Sequence, residues 1–173
     1  RLVSFIAVLV FVAGCASATK RYEQGLEYET RGDFDAAGAH YVEALQKDPS
    51  LTEARQRLEH VGARAVTEHL RDAAAWRQRG HAEQEASEYR DLDGLIARAR
   101  TVGVRIVVPA DYDTNRRAAF DAAFEVTIER AAAAVDRGLF QEALNGARQA
   151  GTHYEPSVDQ HERATAVQAD ALV

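Results

Sequence analysis

Six histidines, His40, His60, His69, His81, His153 and His161, are the residues best suited to metal or proton chemistry. A helical zinc site needs two ligands one turn apart, and no two of these histidines are three or four residues apart and no HExxH occurs. They read as surface or helix-end residues. His81-Ala82-Glu83 has the beginning of a zinc-deaminase motif, but that chemistry also needs a distant Pro-Cys-x-x-Cys, and Cys15 is the only cysteine. Asp111-Tyr112-Asp113-Thr114-Asn115 starts like a calcium loop. Arg116 then stands where glycine must turn the chain and Ala122 where a bidentate glutamate must close it, so these residues read as turn and cap. No nucleophile elbow, phosphate-binding glycine loop or dinucleotide fingerprint is present. The sequence therefore predicts no catalytic residue, no metal and no cofactor: the protein is not expected to be an enzyme.

Arg57, Arg64 and Arg71 recur every seven residues and would suit phosphates or an acidic partner. Glu53, Glu68 and Asp72 lie within about a turn of them, which makes a solvated face of weak ion pairs the better reading. Nucleic acid is excluded as a partner, because the formal net charge is −6 and backbone binding needs clustered excess Lys and Arg.

The elements that must position any site are helical. The chain of 173 residues is 46% hydrophobic and 28% charged, with 11 glycines and three prolines amid abundant Ala, Arg, Glu, Gln and Leu. Those residues lose little rotamer freedom in a helix, so the class is all-α. A body of this length buries roughly 70% of its unfolded surface and needs no staple, so one folded unit is expected.

Leu2 to Ala13 is an apolar run relieved only by Ser4 and preceded by Arg1. Twelve residues cannot span a hydrocarbon core, which takes about 20 in a helix, but they match the apolar region of a secretory signal. No initiator Met is present, so part of the basic start is expected to precede Arg1. Val12-Ala13-Gly14-Cys15 resembles the lipobox of bacterial lipoproteins. The resemblance implies a signal peptide over residues 1–14, cleavage before Cys15, a diacylglycerol on its thiol and an acylated new amino terminus. Two or more acyl chains together hold a protein durably at a membrane, whereas one does not. Ala16, in place of the Asp that in many Gram-negative lipoproteins signals inner-membrane retention, implies outer-membrane attachment facing the periplasm. The alternatives are an ordinary cleaved signal or a terminal anchor that happens to contain a cysteine.

Downstream, Thr19 to Arg31 reads as a helix, Gly32-Asp33 as a turn, and Phe34 to Lys47 as a second helix with Phe34, Ala37, Tyr41, Ala44 and Leu45 on one face. Asp48-Pro49 stops it, and Ser50-Leu51-Thr52-Glu53 reads as a capping box for the next. Gly25, Tyr28, Gly32-Asp33-Phe34, Ala37, Tyr41, Ala44 and Pro49 resemble the 34-residue tetratricopeptide repeat over residues 18–51. Arg21 and Gln24 depart from it, standing where the family has a large aromatic and a leucine. Ala131, Ala134, Gly138-Leu139-Phe140, Ala143, Ala147 and Ala150 resemble a second repeat over 124–157, with Pro156 displaced by one. Between them, Leu51 to Trp76 keeps helical periodicity for some 25 residues, Gly80 turns the chain, and Tyr89 to Ala99 lines a return helix. The segment 51–101 is thus a degenerate, extended hairpin.

Thr101 to Asp113 is different in kind. Val102, Val104, Ile106, Val107 and Val108 are β-branched, but no second strand-like run exists to pair with them, so the segment reads as an extended connector over helix ends. Thr114 then caps a helix to Arg137, Phe140 to Ala150 follows, and Ser157 to Gln160 caps a last helix, 157–173, that runs to the end of the sequence with no terminal turn and covers the open end of the stack. The resemblance implies an α-solenoid of antiparallel hairpins over residues 15–173. It also implies a partner groove on the first helix of each hairpin, which maps to Tyr22, Leu26, Glu29 and Thr30, and later to Ile128, Ala132, Val135 and Asp136. Tyr22 and Leu26 would anchor an apolar side chain while Glu29 orients a cation. Packing against a neighbouring hairpin is the competing role for Leu26, Ala132 and Val135. The function expected is a lipid-anchored scaffold or assembly factor binding other envelope proteins or peptides. The alternative is an anchoring or accessory domain of a cell-wall enzyme whose catalytic part lies elsewhere.

Overall fold

A computed structural model describes residues 17–172. The signal peptide and the lipobox with Cys15 lie outside the described residues. Among those described there are seven helices and no strand. Helix α1 covers residues 17–30, α2 Phe34–Lys47, α3 Thr52–Gln78, α4 Ala82–Thr101, α5 Tyr112–Asp136, α6 Phe140–His153 and α7 Val158–Asp170. The all-α expectation holds.

Four of the helices stop by the same device. After α1, α3, α4 and α5 a glycine (Gly32, Gly80, Gly103, Gly138) takes a positive φ of 71° to 79°. The next residue's N–H then reaches five residues back: Asp33 to the Tyr28 carbonyl, His81 to Trp76, Val104 to Ala99 and Leu139 to Ala134. This Schellman arrangement satisfies carbonyls that a helix end leaves unpaired, and glycine alone adopts it without a Cβ penalty. Starts are set by side chains. Asp33 accepts from the Ala36 N–H at 3.0 Å, and at α7 Ser157 and Gln160 cap each other's backbone in a capping box, as the sequence predicts.

Three starts and stops differ from the sequence reading. The Ser50 hydroxyl donates to Asp48 Oδ1 at 2.6 Å, closing the turn behind it, and α3 begins at Thr52 with the Arg55 N–H on the Leu51 carbonyl. Thr114 is not a cap, because α5 begins two residues earlier at Tyr112, with the Asn115 N–H on the Asp111 carbonyl. Helix α7 stops at Asp170, capped by Ala171, rather than continuing to 173. The connector is irregular as expected, and it touches α3 at two places, Gly62 and, in the first turn, Arg55. Ile106 lies so close to Gly62 that a Cβ there would sit 2.7 Å from Ile106 Cγ1, and Arg55 donates to the Val102 and Gly103 carbonyls.

The chain divides into two compact units. The first comprises residues up to 69 together with 91–108, so it holds α1, α2, the first two-thirds of α3, the second half of α4 and the connector as far as Val108. Its core is Tyr41, Leu45, Leu58, Val61, Leu92 and Leu95, and Gly38 admits Leu95 against α2 where a Cβ would come within 2.7 Å of Leu95 Cδ1. The pairings Arg21 with Glu43, Gly25 with Tyr41 and Tyr28 with His40 run in opposite directions along α1 and α2, so the two form an antiparallel hairpin. Phe34, read as an inward residue, is only partly buried, its ring covered by the Arg64 guanidinium at 5.1 Å.

The second unit comprises residues 70–90 and 109–173. Here α5 packs on both α6 and α7, and α6 on α7. Phe120, Phe124, Thr127, Ile128, Ala131 and Ala134 form the inward stripe of α5, and Ala143, Ala147 and Ala150 that of α6. Small residues let these two helices approach closely: a Cβ on Gly146 would lie 3.0 Å from the Ala131 Cβ.

Candidate functional site

In the first unit the side chains mapped to a groove on α1 fall into two groups. Tyr22 and Leu26 are half-buried, with the Tyr22 ring tilted 41° against Tyr41 at 5.7 Å between centroids. Glu29 and Thr30 turn inward or along the helix. Thr30 donates to the Leu26 carbonyl at 2.8 Å, and Glu29, with only 13% of its side chain exposed, accepts from the Tyr41 hydroxyl at 2.5 Å and from Arg57 at 3.1 Å. His60 Nε2 lies 3.9 Å from the same carboxylate. Burial first, and then Glu29, push the Tyr41 phenol far above its usual ionisation range, while Glu29 first, with Tyr22 also hydrogen-bonding, raises the Arg57 guanidinium. The carboxylate that could orient a partner's cation thus already holds one from α3, and by doing so it fixes α1 to α2 and α3.

The approach that makes this possible is at Gly25. A Cβ there would sit 2.4 Å from Tyr41 Cε1, well inside contact distance, so only glycine lets the Tyr41 ring lie flat along α1. Tyr41 is fully buried, its hydroxyl satisfied by Glu29, and the Tyr22–Leu26 side of α1 stays partly open to solvent.

In the second unit the structure does not bring the four mapped residues onto one open face. Ile128 is buried in the core, Val135 packs partly on the Ala134–Ala143–Ala171 cluster, and only Ala132 and Asp136 are exposed. Instead, among the described residues, polar clefts appear that the sequence reading missed, and two of them stand out. One, of about 510 Å³, has Phe120 and Tyr154 beneath Arg116, Arg117, Asp121, Glu155 and Gln160. Arg116 stacks over Phe120 at 5.0 Å and pairs with Glu155 at 3.0 Å, and Glu155 adopts the left-handed φ of 47° that non-glycine residues rarely take. The other, of about 450 Å³, is lined by Thr127, Arg130, Glu142, Asn145 and Gln149. There the buried Thr127 hydroxyl donates to Glu83 Oε1 at 3.0 Å, and Arg130 pairs with the same carboxylate. The sequence signal for both was faint: the Ser157 box marked the start of α7, but not that the preceding loop folds back on α5.

The Ser157 oxygen accepts from the Gln160 N–H at 3.3 Å, no histidine lines either cleft, and no group of three metal-ligating residues occurs among the described residues. What these surfaces offer is hydrogen bonding, aromatic faces and fixed charge. No helix among the described residues is long and apolar enough to cross a membrane. Compared with protein-family models, curated proteins and solved structures, the chain has no significant match.

Proposed function

We propose that the chain is a lipid-tethered recognition module of the bacterial envelope, attached through Cys15 and binding an envelope protein or peptide with the α1 face around Tyr22 and Leu26. The observation that carries this reading is the way α1 is held: Gly25 on Tyr41 and Glu29 on Arg57 fix the helix, yet leave Tyr22 and Leu26 half-exposed beside each other. An aromatic and an aliphatic side chain four residues apart on one rigid face make an anchor with little ordering cost on binding. Ala37, Tyr41 and Ala44 are buried and Gly25 meets α2, while Phe34 is only partly buried. The first group supports reading α1 and α2 as a repeat-like hairpin, and we propose hairpins stacked as a short solenoid, tethered at the outer membrane and facing the periplasm.

The tether is tested on the mature amino terminus. Mass spectrometry of the purified native protein should find Cys15 as its first residue carrying acyl mass, and Cys15→Ser should leave the precursor uncleaved. A mature terminus elsewhere without acyl mass refutes the attachment.

A further inference from the structure

Cations without a carboxylate gather at one end of the first unit. Arg21 on Glu43 sets the start of α1 beside the end of α2. Arg55, in the first turn of α3, donates to the Pro49 carbonyl of the α2–α3 turn and to the Val102 and Gly103 carbonyls that close α4. The starts of α1 and α3 and the ends of α2 and α4 therefore share this end. Lys20, Lys47, Arg98, Arg100 and Arg105 are exposed there, and neither they nor Arg55 pair with a carboxylate among the described residues. With Arg21 they make seven cations against three carboxylates, Glu43, Asp48 and Glu53, on a chain whose formal net charge is −6. Glu43 is held by Arg21, and Asp48 by the Ser50 N–H and hydroxyl. Helix stability explains only part of this. Lys47, Arg98 and Arg100 lie in the last turns of α2 and α4, where a cation suits the macrodipole, but Lys20 and Arg55 lie in first turns, where it does not, and Arg105 lies in the connector.

We infer that this end docks on the anionic phosphate headgroups of the membrane that holds the tether. The inference rests on attachment through Cys15 and adds which end of the body meets the lipid. Cys15 precedes Ser17, the first residue of α1, by two positions, and two residues reach no further than about 7 Å. That span keeps the start of α1, and the end of the unit it shares, close to the headgroups. An acidic protein would also suit these charges, but a folded domain does not fit into so short a gap. Lys and Arg are drawn to an anionic leaflet within about a Debye length, 8–10 Å at ordinary salt, so the cations at this end act on the membrane first. Helix α1 then leads away from the lipid and carries Leu26 roughly 14 Å along its axis, so the Tyr22–Leu26 face remains open to a partner.

The test uses the full protein purified from membranes and reconstituted into vesicles, with a spin label on Gln46→Cys at the docking end or on Arg31→Cys at the far end of α1, both exposed. Adding about one-third phosphatidylglycerol to phosphatidylcholine should make the Gln46→Cys label about threefold less accessible to a water-soluble paramagnetic chelate. The Arg31→Cys label should not change. Lys47→Gln/Arg98→Gln/Arg100→Gln should abolish the protection, and so should about 0.5 M salt on the protein with those cations intact, which needs no further variant to fold. Equal accessibility of the Gln46→Cys label in the two vesicles overturns the docking, as does protection that both the substitutions and salt leave intact. Mass spectrometry separates the two readings. Acyl mass with an unprotected label keeps the tether and refutes the docking. If acyl mass is absent the tether fails, and flotation of that chain with anionic but not neutral vesicles supports the docking, whereas no flotation refutes it.

Discussion

Tyr41→Ala should destabilise the first unit by about 3–5 kcal/mol, the range for emptying a fully buried aromatic site. The ring is fully buried, lies against Gly25 where no other residue's Cβ can follow it, and carries the hydroxyl that satisfies Glu29. Removing it opens a cavity and leaves a nearly buried carboxylate with Arg57 as its main partner. Tyr41→Phe separates the two effects. It keeps the packing and loses only a hydrogen bond to a charged group, which costs about 1.5–3 kcal/mol. Denaturant unfolding of the two variants against the parent measures both, and a Tyr41→Ala cost below that of Tyr41→Phe would show that the ring is not a core element.

Phe124→Ala should be comparably damaging in the second unit, again by about 3–5 kcal/mol. Phe124 is fully buried on α5, and the Arg163 guanidinium of α7 lies over its ring at 5.8 Å. The same guanidinium holds Glu125 through two hydrogen bonds of 2.7 and 2.8 Å, but both side chains are nearly half exposed, so Arg163→Ala should cost no more than about 1 kcal/mol. The two contributions also differ in their response to pH. Hydrogen bonding to Arg163 lowers the Glu125 carboxyl below its usual range, so the stability it supplies is present at neutral pH and disappears as acid protonates it in the folded state. The Phe124 contribution does not change with pH. Amide exchange across α5 to α7 in the two variants, at neutral and acid pH, distinguishes burial from ion pairing as the source of the helix docking.

The residues that were legible in the sequence are those whose information is local. Gly32, Gly80 and Gly138 end helices because no other residue takes a left-handed φ there without strain, and the Ser157–Gln160 box starts α7 with its own atoms. The long α3 was likewise visible as uninterrupted periodicity. What failed was local choice among equals: Ser50 has a hydroxyl that can cap a helix or close the turn on Asp48, and the turn won. The candidate site was half legible. Periodicity placed Tyr22, Leu26 and Glu29 on α1, but nothing near Glu29 in sequence announces that Arg57, 28 residues on, will claim it. Ile128 was assigned to a groove by repeat spacing. It is core because α6 and α7 both pack on α5, which is a tertiary fact.

The central claim is that α1 presents a partner-binding face separable from the packing beneath it. The direct measurement is site-specific photo-crosslinking in intact cells from Glu23, exposed beside Tyr22, in the parent and in Tyr22→Ala, with thermal unfolding of both. A discrete adduct should form and fall by roughly 30-fold in Tyr22→Ala, the effect of losing an anchor worth ~2 kcal/mol. Its unfolding should move by no more than about 1 kcal/mol, the contribution of an aromatic pair such as Tyr22 with Tyr41. An adduct unchanged by Tyr22→Ala, or a Tyr22→Ala chain as unstable as Tyr41→Ala, would contradict the account.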